Sequence, residues 1–409
     1  MFHNVFLLRG LLKSGILSFL VLFLIQGAFA AETQVTPSLT LQSEYNDNIF
    51  FVKDDEDSDY VLIIEPEIAV SRRTERIESR LRVKFPINHY MDFDELNAVD
   101  QVYSGNLGYR WSPRVSTFFQ AAYIQDSQPD RDILETGLVV GDVTRRRLSA
   151  GFSGEYLYSE LTSLALSYAY RDEQFKEPGF AESETQSINF ILERDMERTF
   201  ANTRGNLTFG YSRYDSDRST VESYSTMVGA VRQLTELYYV SADIGVRYTR
   251  HEFDVLRFEP VSPDLFIMVT DQEKNNDWGV VGRASLSYQD ESSRASLNFY
   301  RDVATSSGRT GAVERTALVF DIGKRFTYRF WGHFSAGYYL NESKGKEFSI
   351  REIDENTWRL NPYIRYVYSN DLSFRVSYSY TKVRDRLDST DAERNLILLR
   401  LVYSHPLLN

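Results

Sequence analysis

From Leu39 onward the chain is built of short segments in which every second residue is apolar or aromatic. Ala295-Ser-Leu297-Asn-Phe299, Leu372-Ser-Phe374-Arg-Val376-Ser-Tyr378-Ser-Tyr380 and Trp278-Gly-Val280-Val-Gly282-Arg-Ala284-Ser-Leu286-Ser-Tyr288 are three of them. A period of two puts alternate side chains on opposite faces of a strand. Each strand thus has one greasy and one polar face, and the pattern recurs along the whole chain with short turns alternating with longer polar loops. A wall that is greasy outside and wet inside is a transmembrane antiparallel β-barrel. The spacing predicts about eighteen strands in nine hairpins, with sixteen as the alternative because the strands at Thr185–Arg194 and Val313–Lys324 are the least regular.

The expected long loops are Asn46–Asp59, Met91–Asp100, Asp126–Asp142, Glu173–Glu184, Tyr214–Val221, His251–Asn276, Thr305–Ala312, Ser343–Ile353 and Asp385–Asp391. Shorter turns lie between them, for example at Arg72–Glu75, Ser112–Arg114 and Phe326–Arg329. Short turns belong on the periplasmic side, which puts both termini there. The barrel takes up residues 31–409 as one domain. Only Ala31 to Pro37 are expected to precede the first strand, too few for an N-terminal plug.

Residues 1–30 read as a cleaved secretory signal peptide. Arg9 and Lys13 precede an apolar run from Gly15 to Ile25, and Ala28-Phe29-Ala30 is a small-x-small cleavage site. The run is short for a membrane span, and no later segment is a 20-residue apolar run. The address is the outer membrane of a Gram-negative bacterium, with outer-membrane lipid and the barrel assembly machinery as partners.

Composition narrows the chemistry. The chain has no Cys, which removes disulfides, thiolate metal sites, cysteine nucleophiles and a lipoprotein anchor. Aromatic content is 14%, in keeping with two interfacial girdles. The mean hydropathy of -0.37 looks soluble, but alternation dilutes hydrophobicity in a barrel. The net charge of -12 argues against nucleic acid as a partner. Acids cluster in expected loops, notably Asp54-Asp55-Glu56-Asp57 and Asp59, which read as solvated; the stretch lacks the Gly of a calcium loop. No metal site or cofactor is expected. Beyond the signal the histidines are His89, His251, His333 and His405, with no metal-ligand spacing among them. His251 beside Glu252 and near Asp254 is the one protease-like grouping.

Parity assigns the faces. Ile77, Leu81, Val83, Phe85 and Ile87 face lipid, and Glu78, Arg80, Arg82 and Lys84 face the lumen. The same rule sends Asp243, Arg247, Arg283, Arg359, Arg365 and Arg375 inward, with Glu65, Glu67 and Asp321 as further inward acids. Inward cations exceed these acids, so the wall is more basic than the chain, and rings of Arg and Lys favour anions. Small inward residues (Ser163, Ala165, Ser167, Ala169; Ser373, Ser377, Ser379) leave room for a channel, and inward Tyr239, Tyr300, Tyr339 and Tyr363 offer stacking surfaces for sugars. The reading is a non-enzymatic channel for polar or carbohydrate solutes. The alternatives are a structural or adhesion barrel with a closed lumen, and an outer-membrane hydrolase.

The opening segment Glu44-Tyr45-Asn46-Asp47-Asn48-Ile49-Phe50 resembles the start of a family of outer-membrane β-barrel porins. Many members are encoded beside exopolysaccharide or capsule export genes, so the resemblance implies a role in polysaccharide passage, with the polysaccharide and its export machinery as partners. Within the motif, Asn46-Asp47-Asn48 is a turn-forming cluster. Such barrels usually end on an aromatic residue; here Tyr403 fits, but Ser404 to Asn409 follow it.

Overall fold

The computed structural model describes residues 32–127, 143–176, 180–262, 265–305, 312–343 and 352–407, and for 255–262, 265–270 and 305 the backbone alone. The signal-peptide segment lies outside the described residues, as do most of the loops expected at Asp126–Asp142, Thr305–Ala312 and Ser343–Ile353.

Twenty strand segments form one antiparallel sheet. They are β1 (Glu32–Asn46), β2 (Asp59–Arg73), β3 (Ile77–Lys84), β4 (Ile87–Tyr90), β5 (Ala98–Val99), β6 (Gln101–Ser112) and β7 (Val115–Asp126). β8 (Arg145–Ser159), β9 (Thr162–Phe175), β10 (Ser183–Asp195), β11 (Thr203–Ser216), β12 (Ser219–Gln233), β13 (Tyr238–Ser262) and β14 (Leu265–Gln289) follow. β15 (Ser293–Thr305), β16 (Ala312–Arg325), β17 (Phe330–Ser343), β18 (Ile353–Val367), β19 (Leu372–Asp385) and β20 (Thr390–Ser404) complete the wall. β3 and β4 both pair with β2 and are interrupted at Phe85-Pro86, where Pro cannot donate to the ladder. β5 and β6 pair with them in turn. Each couple is one stave, and the result is a closed barrel of 18 strands. The two least regular expected strands are both present, as β10 and β16.

The barrel closes between β1 and β20, from Ser38 opposite Ser404 to Asn46 opposite Leu396. The described segment begins and ends, at Glu32 and Leu407, at the rim of short turns. The tail continues along β1, with the His405 and Leu407 N–H groups donating to the carbonyls of Pro37 and Val35 (3.2 and 2.8 Å).

Three expectations are corrected. The described part of the segment His251–Asn276 is strand: β13 and β14 each run for 25 residues and pair out to Ser262 opposite Leu265, with a register shift between Pro260 and Ser262. Pro260 and Pro263 and the charged run Asp271–Lys274 suggest a loop, but the two strands remain backbone-paired on both sides of it. Tyr214–Val221 is also paired, closing with Ser216 opposite Ser219. The first strand starts at Glu32, so 32–37 belong to the wall opposite Ile68–Arg73.

Register confirms which residues share a face. Ile68, Leu166, Ile188, Val228, Ile244, Val246, Val280 and Ile364 are exposed large hydrophobics on the outer face. Such a continuous apolar surface on a β-wall fits lipid. Outward aromatic pairs cross neighbouring strands near the long-loop rim: Tyr45 and Tyr60 (ring centroids 4.9 Å), Tyr211 and Tyr224 (5.0 Å), Tyr248 and Trp278 (5.0 Å), Tyr338 and Trp358 (4.6 Å). Trp111, Tyr158, Tyr328 and Tyr368 stand exposed near the short-turn rim. These are two aromatic girdles.

In the turn between β14 and β15, the Tyr288 hydroxyl donates to Asp290 (2.7 Å), as do the N–H groups of Ser292 (2.6 Å) and Ser293 (2.5 Å). These donors, Tyr288 foremost, pull the Asp290 carboxyl down to about 2. A carboxyl depressed on folding stabilises above its unfolded pKa of about 3.9, and that contribution fades as pH falls through the folded value. The stability difference between wild type and Asp290→Asn is therefore expected to shrink between about pH 4 and pH 2 in refolding titrations. A difference constant over that window would contradict the assignment.

Leu81 faces outward, opposite Val70 and Gly105, whereas Arg82 faces inward and pairs with Glu67 (3.2 Å). Leu81→Arg is expected to destabilise the barrel in vesicles by about 2–4 kcal/mol if it sits near the midplane, and Arg82→Leu by much less. Equal unfolding midpoints for the two variants would reverse the faces.

Candidate interior channel

The lumen divides into two halves of different character. Toward the long-loop rim it is packed. Arg145, Arg247, Arg394 and His251 are almost wholly buried, and Asn48, Asn341 and Thr357 are fully so. Buried charges need partners, and they have them. Arg145 meets Asp126 (3.1 Å) and Arg147 meets Glu173 (2.5 Å). Arg247 lies between Asp277 (3.1 Å) and Glu314 (2.6 Å), and Glu314 also takes Arg301. The Arg315 Nε donates to Asn341 Oδ1 (3.0 Å), and the Arg394 guanidinium sits over the Phe51 ring at 4.9 Å. An apolar cluster of Ile49, Val61, Ile63 and Tyr90, with Phe50, Phe93 and Leu96 against it, adds to this end. Val61 and Ile63 are inward residues of β2, where apolar side chains run on both faces.

Deeper in, the wall encloses a cavity of about 750 Å³ lined by Arg80, Arg82, Asn106, Gln120, Arg171 and Arg315 among mostly small residues. A second, of about 540 Å³, opens at the short-turn rim beside Arg73, Glu78, Arg110 and Glu155.

The structure places each residue singled out from the sequence on the inward register. Arg80 and Arg82 line the larger cavity. Lys84 pairs with Glu65 (3.1 Å) and Arg283 with Asp243 (2.8 Å). Arg359 stands opposite Gly337 and Thr381. Arg365 and Arg375 are brought directly opposite one another, and Arg375 is opposite Arg400. Arg247 is the exception in character: buried between two acids, it belongs to the packed half. Arg400, Arg315, Arg171, Glu173 and Glu314 are lumen residues that the sequence reading did not single out. The alternation rule could have found Arg400, but its inward neighbours Leu396 and Leu398 are apolar and mask the pattern.

The opening motif does more than turn the chain. Asn46 Oδ1 accepts the Asn48 N–H (3.0 Å), a local turn contact. Asn48 Nδ2 also donates to the Glu393 carbonyl (2.9 Å), and Asp47 accepts the Asn395 N–H (2.6 Å) and side-chain amide (2.7 Å). The motif therefore clasps β1 to β20. Of the acids beside it, Asp54 to Asp57 are exposed, but Asp59 is buried and accepts N–H groups of Met91, Asp92 and Phe93.

His251 and Glu252 lie on opposite faces of β13. His251 Nε2 is 2.8 Å from Ser219 Oγ inside the barrel. Glu252 points outward to Lys274 (2.9 Å) and Arg250 (2.7 Å), and the Lys274 hydrogen bond foremost holds its carboxyl below the usual range. They do not converge on one site. Among the described residues, no group of three or more His, Asp or Glu is placed to hold a metal ion.

No protein-family model and no curated protein matches the chain. Among solved structures, it is similar to the ferric-catecholate import receptor Fiu from E. coli, at TM-score 0.50 and 8% identity over 91% of this chain and 82% of that one. OccAB4 of Acinetobacter baumannii matches at TM-score 0.47 and 11% identity, over 92% and 98% of the two chains. The outer membrane protein OpdK of Pseudomonas aeruginosa matches at 0.45 and 11%, over 91% and 99%. At these identities the likeness concerns the fold.

The Arg247 knot links β13, β14 and β16, so its loss leaves two buried-side carboxylates facing each other. Removing one partner of a buried pair costs about 3–5 kcal/mol, and the retained Arg301 contact puts Arg247→Gln near the lower figure. Denaturant unfolding in vesicles measures it; no change in midpoint would show that the knot contributes nothing to the packed half.

Proposed function

We propose that the chain is an outer-membrane diffusion channel for polar, anionic solutes, with carbohydrate chains as its cargo and export of exopolysaccharide as its setting. On this reading the short-turn rim is periplasmic and the long loops are extracellular. One observation carries the proposal. An 18-strand wall surrounds a cavity whose lining holds several guanidinium groups, and Arg80 there has no carboxylate partner among the described residues. A wall of this strand number cannot be filled by its own side chains, so solvent or cargo occupies the remaining space. The comparisons support a barrel of the outer-membrane kind through Fiu, and the motif at Glu44 to Phe50 supports the polysaccharide setting.

The packed half near the long-loop rim favours a second reading, a closed barrel whose loops bind a partner. Conductance separates the two. In a planar bilayer with a salt gradient, the channel is expected to conduct with a reversal potential showing mild anion preference. A clear cation preference, or no conductance, would falsify the channel reading in its anion-selective form.

A further inference from the structure

Three arginines occupy adjacent positions in one row around the lumen wall. Arg365 of β18 is directly opposite Arg375 of β19, which is directly opposite Arg400 of β20. Neighbouring strands lie about 4.8 Å apart, so the row sets like charges side by side. Like charges directly opposite are destabilising in a sheet. Several other inward cations in this barrel are met by acids: Lys84 by Glu65, Arg82 by Glu67, Arg283 by Asp243. Among the described residues no carboxylate pairs with these three. Arg400 donates from Nε (2.9 Å) and Nη2 (2.6 Å) to the neutral Gln42 Oε1. Arg375 lies over the Tyr363 ring at 4.5 Å, and that ring stacks on His333 with centroids 4.7 Å apart and planes at 20°. The inward neighbours Ser373 and Ser377 are small, and Arg365 is exposed.

We infer that Arg365, Arg375 and Arg400, with the Tyr363–His333 stack, form a binding site for the carboxylate groups of an acidic oligosaccharide at the short-turn end of the lumen. The inference rests on the channel reading for its cargo. Each guanidinium offers a planar fork that matches a carboxylate bidentately. The row runs around the wall rather than along it, so a chain threading the lumen meets all three cations at one depth, as in a charged selectivity ring. The stacked rings beside the row present an aromatic surface to a sugar ring. A neutral sugar gains the rings but not the row, and a small anion gains the row but not the rings; an oligouronate gains both.

Titration calorimetry of the purified, folded barrel in detergent micelles tests this without needing conduction. The probes are a galacturonate pentamer, a maltopentaose and inorganic phosphate. The galacturonate pentamer is expected to bind more tightly than the other two, and increasingly weakly as salt rises. The triple variant Arg365→Gln, Arg375→Gln, Arg400→Gln is expected to lose at least tenfold in affinity for it. The corresponding triple Lys variant keeps the charge and is expected to lose less. The Gln triple also relieves repulsion, so its unfolding midpoint is expected to be no lower than wild type, unlike that of a structural row. If the triple does not fold, Arg365→Gln alone, at the exposed end of the row, gives the same comparison. Undiminished pentamer binding in the Gln variants, or equal binding of maltopentaose, overturns the site. Phosphate bound as tightly as the pentamer overturns the sugar assignment. A barrel that binds the pentamer through these residues but does not conduct keeps the site and loses the channel; one that conducts but does not bind keeps the channel and loses the site.

Discussion

The structure depends on a pairing between its two ends. In a bilayer every backbone N–H and C=O must find a partner within the protein, so an open sheet has no stable form there. Here the last edge is removed when β1 lies against β20. The other wall contacts come mostly from hairpins, whose turns hold the partners close. This one joins residues as far apart as Ser38 and Ser404 and must close by itself. It is fastened at both rims, by Asp47 and Asn48 on Asn395 and Glu393 at one end, and by the tail on Pro37 and Val35 at the other. A chain whose first strand carries the clasp cannot seat it until the last strand has been laid down.

The same constraint explains what could be read from the sequence. A lipid face tolerates no slip of one residue, because Arg80, Arg82 and Lys84 would then enter lipid together. Alternation therefore identifies the faces of β3, β13 and β18 with little ambiguity, and strand number follows from the turns between. The rule has force only where lipid enforces it. Beyond the girdles, β13 and β14 continue as paired strands without strict alternation, and Pro260 makes the stretch read as a loop. Inside the long-loop end, Val61 and Ile63 face the lumen and break alternation because packing rather than water meets them.

Site residues were legible one strand at a time, and their combinations were not. Parity sends Arg365 and Arg375 inward, but only register shows that they stand opposite each other and that Arg400 extends the row. Likewise Asp47 reads as a turn residue until the strand it meets is known. Contacts between staves depend on the shear of the whole barrel, a global quantity with no local trace in the sequence.

The two halves of the lumen treat charge in opposite ways. Near the long loops the cations are buried, and acids, amides or rings stand beside them; Arg247 with Asp277 and Glu314 is the limiting case. Near the short turns the row of Arg365, Arg375 and Arg400 is only partly buried, and its guanidiniums stand without acids at the expense of mutual repulsion. A polyanion approaching from that rim therefore meets an unneutralised row of cations beside paired ones such as Arg73 with Glu78. At the far rim the exposed run from Asp54 to Asp57 presents the opposite sign. Under the proposed orientation the periplasmic end attracts an anionic chain, whereas the acids at the outer rim oppose its exit and its return alike.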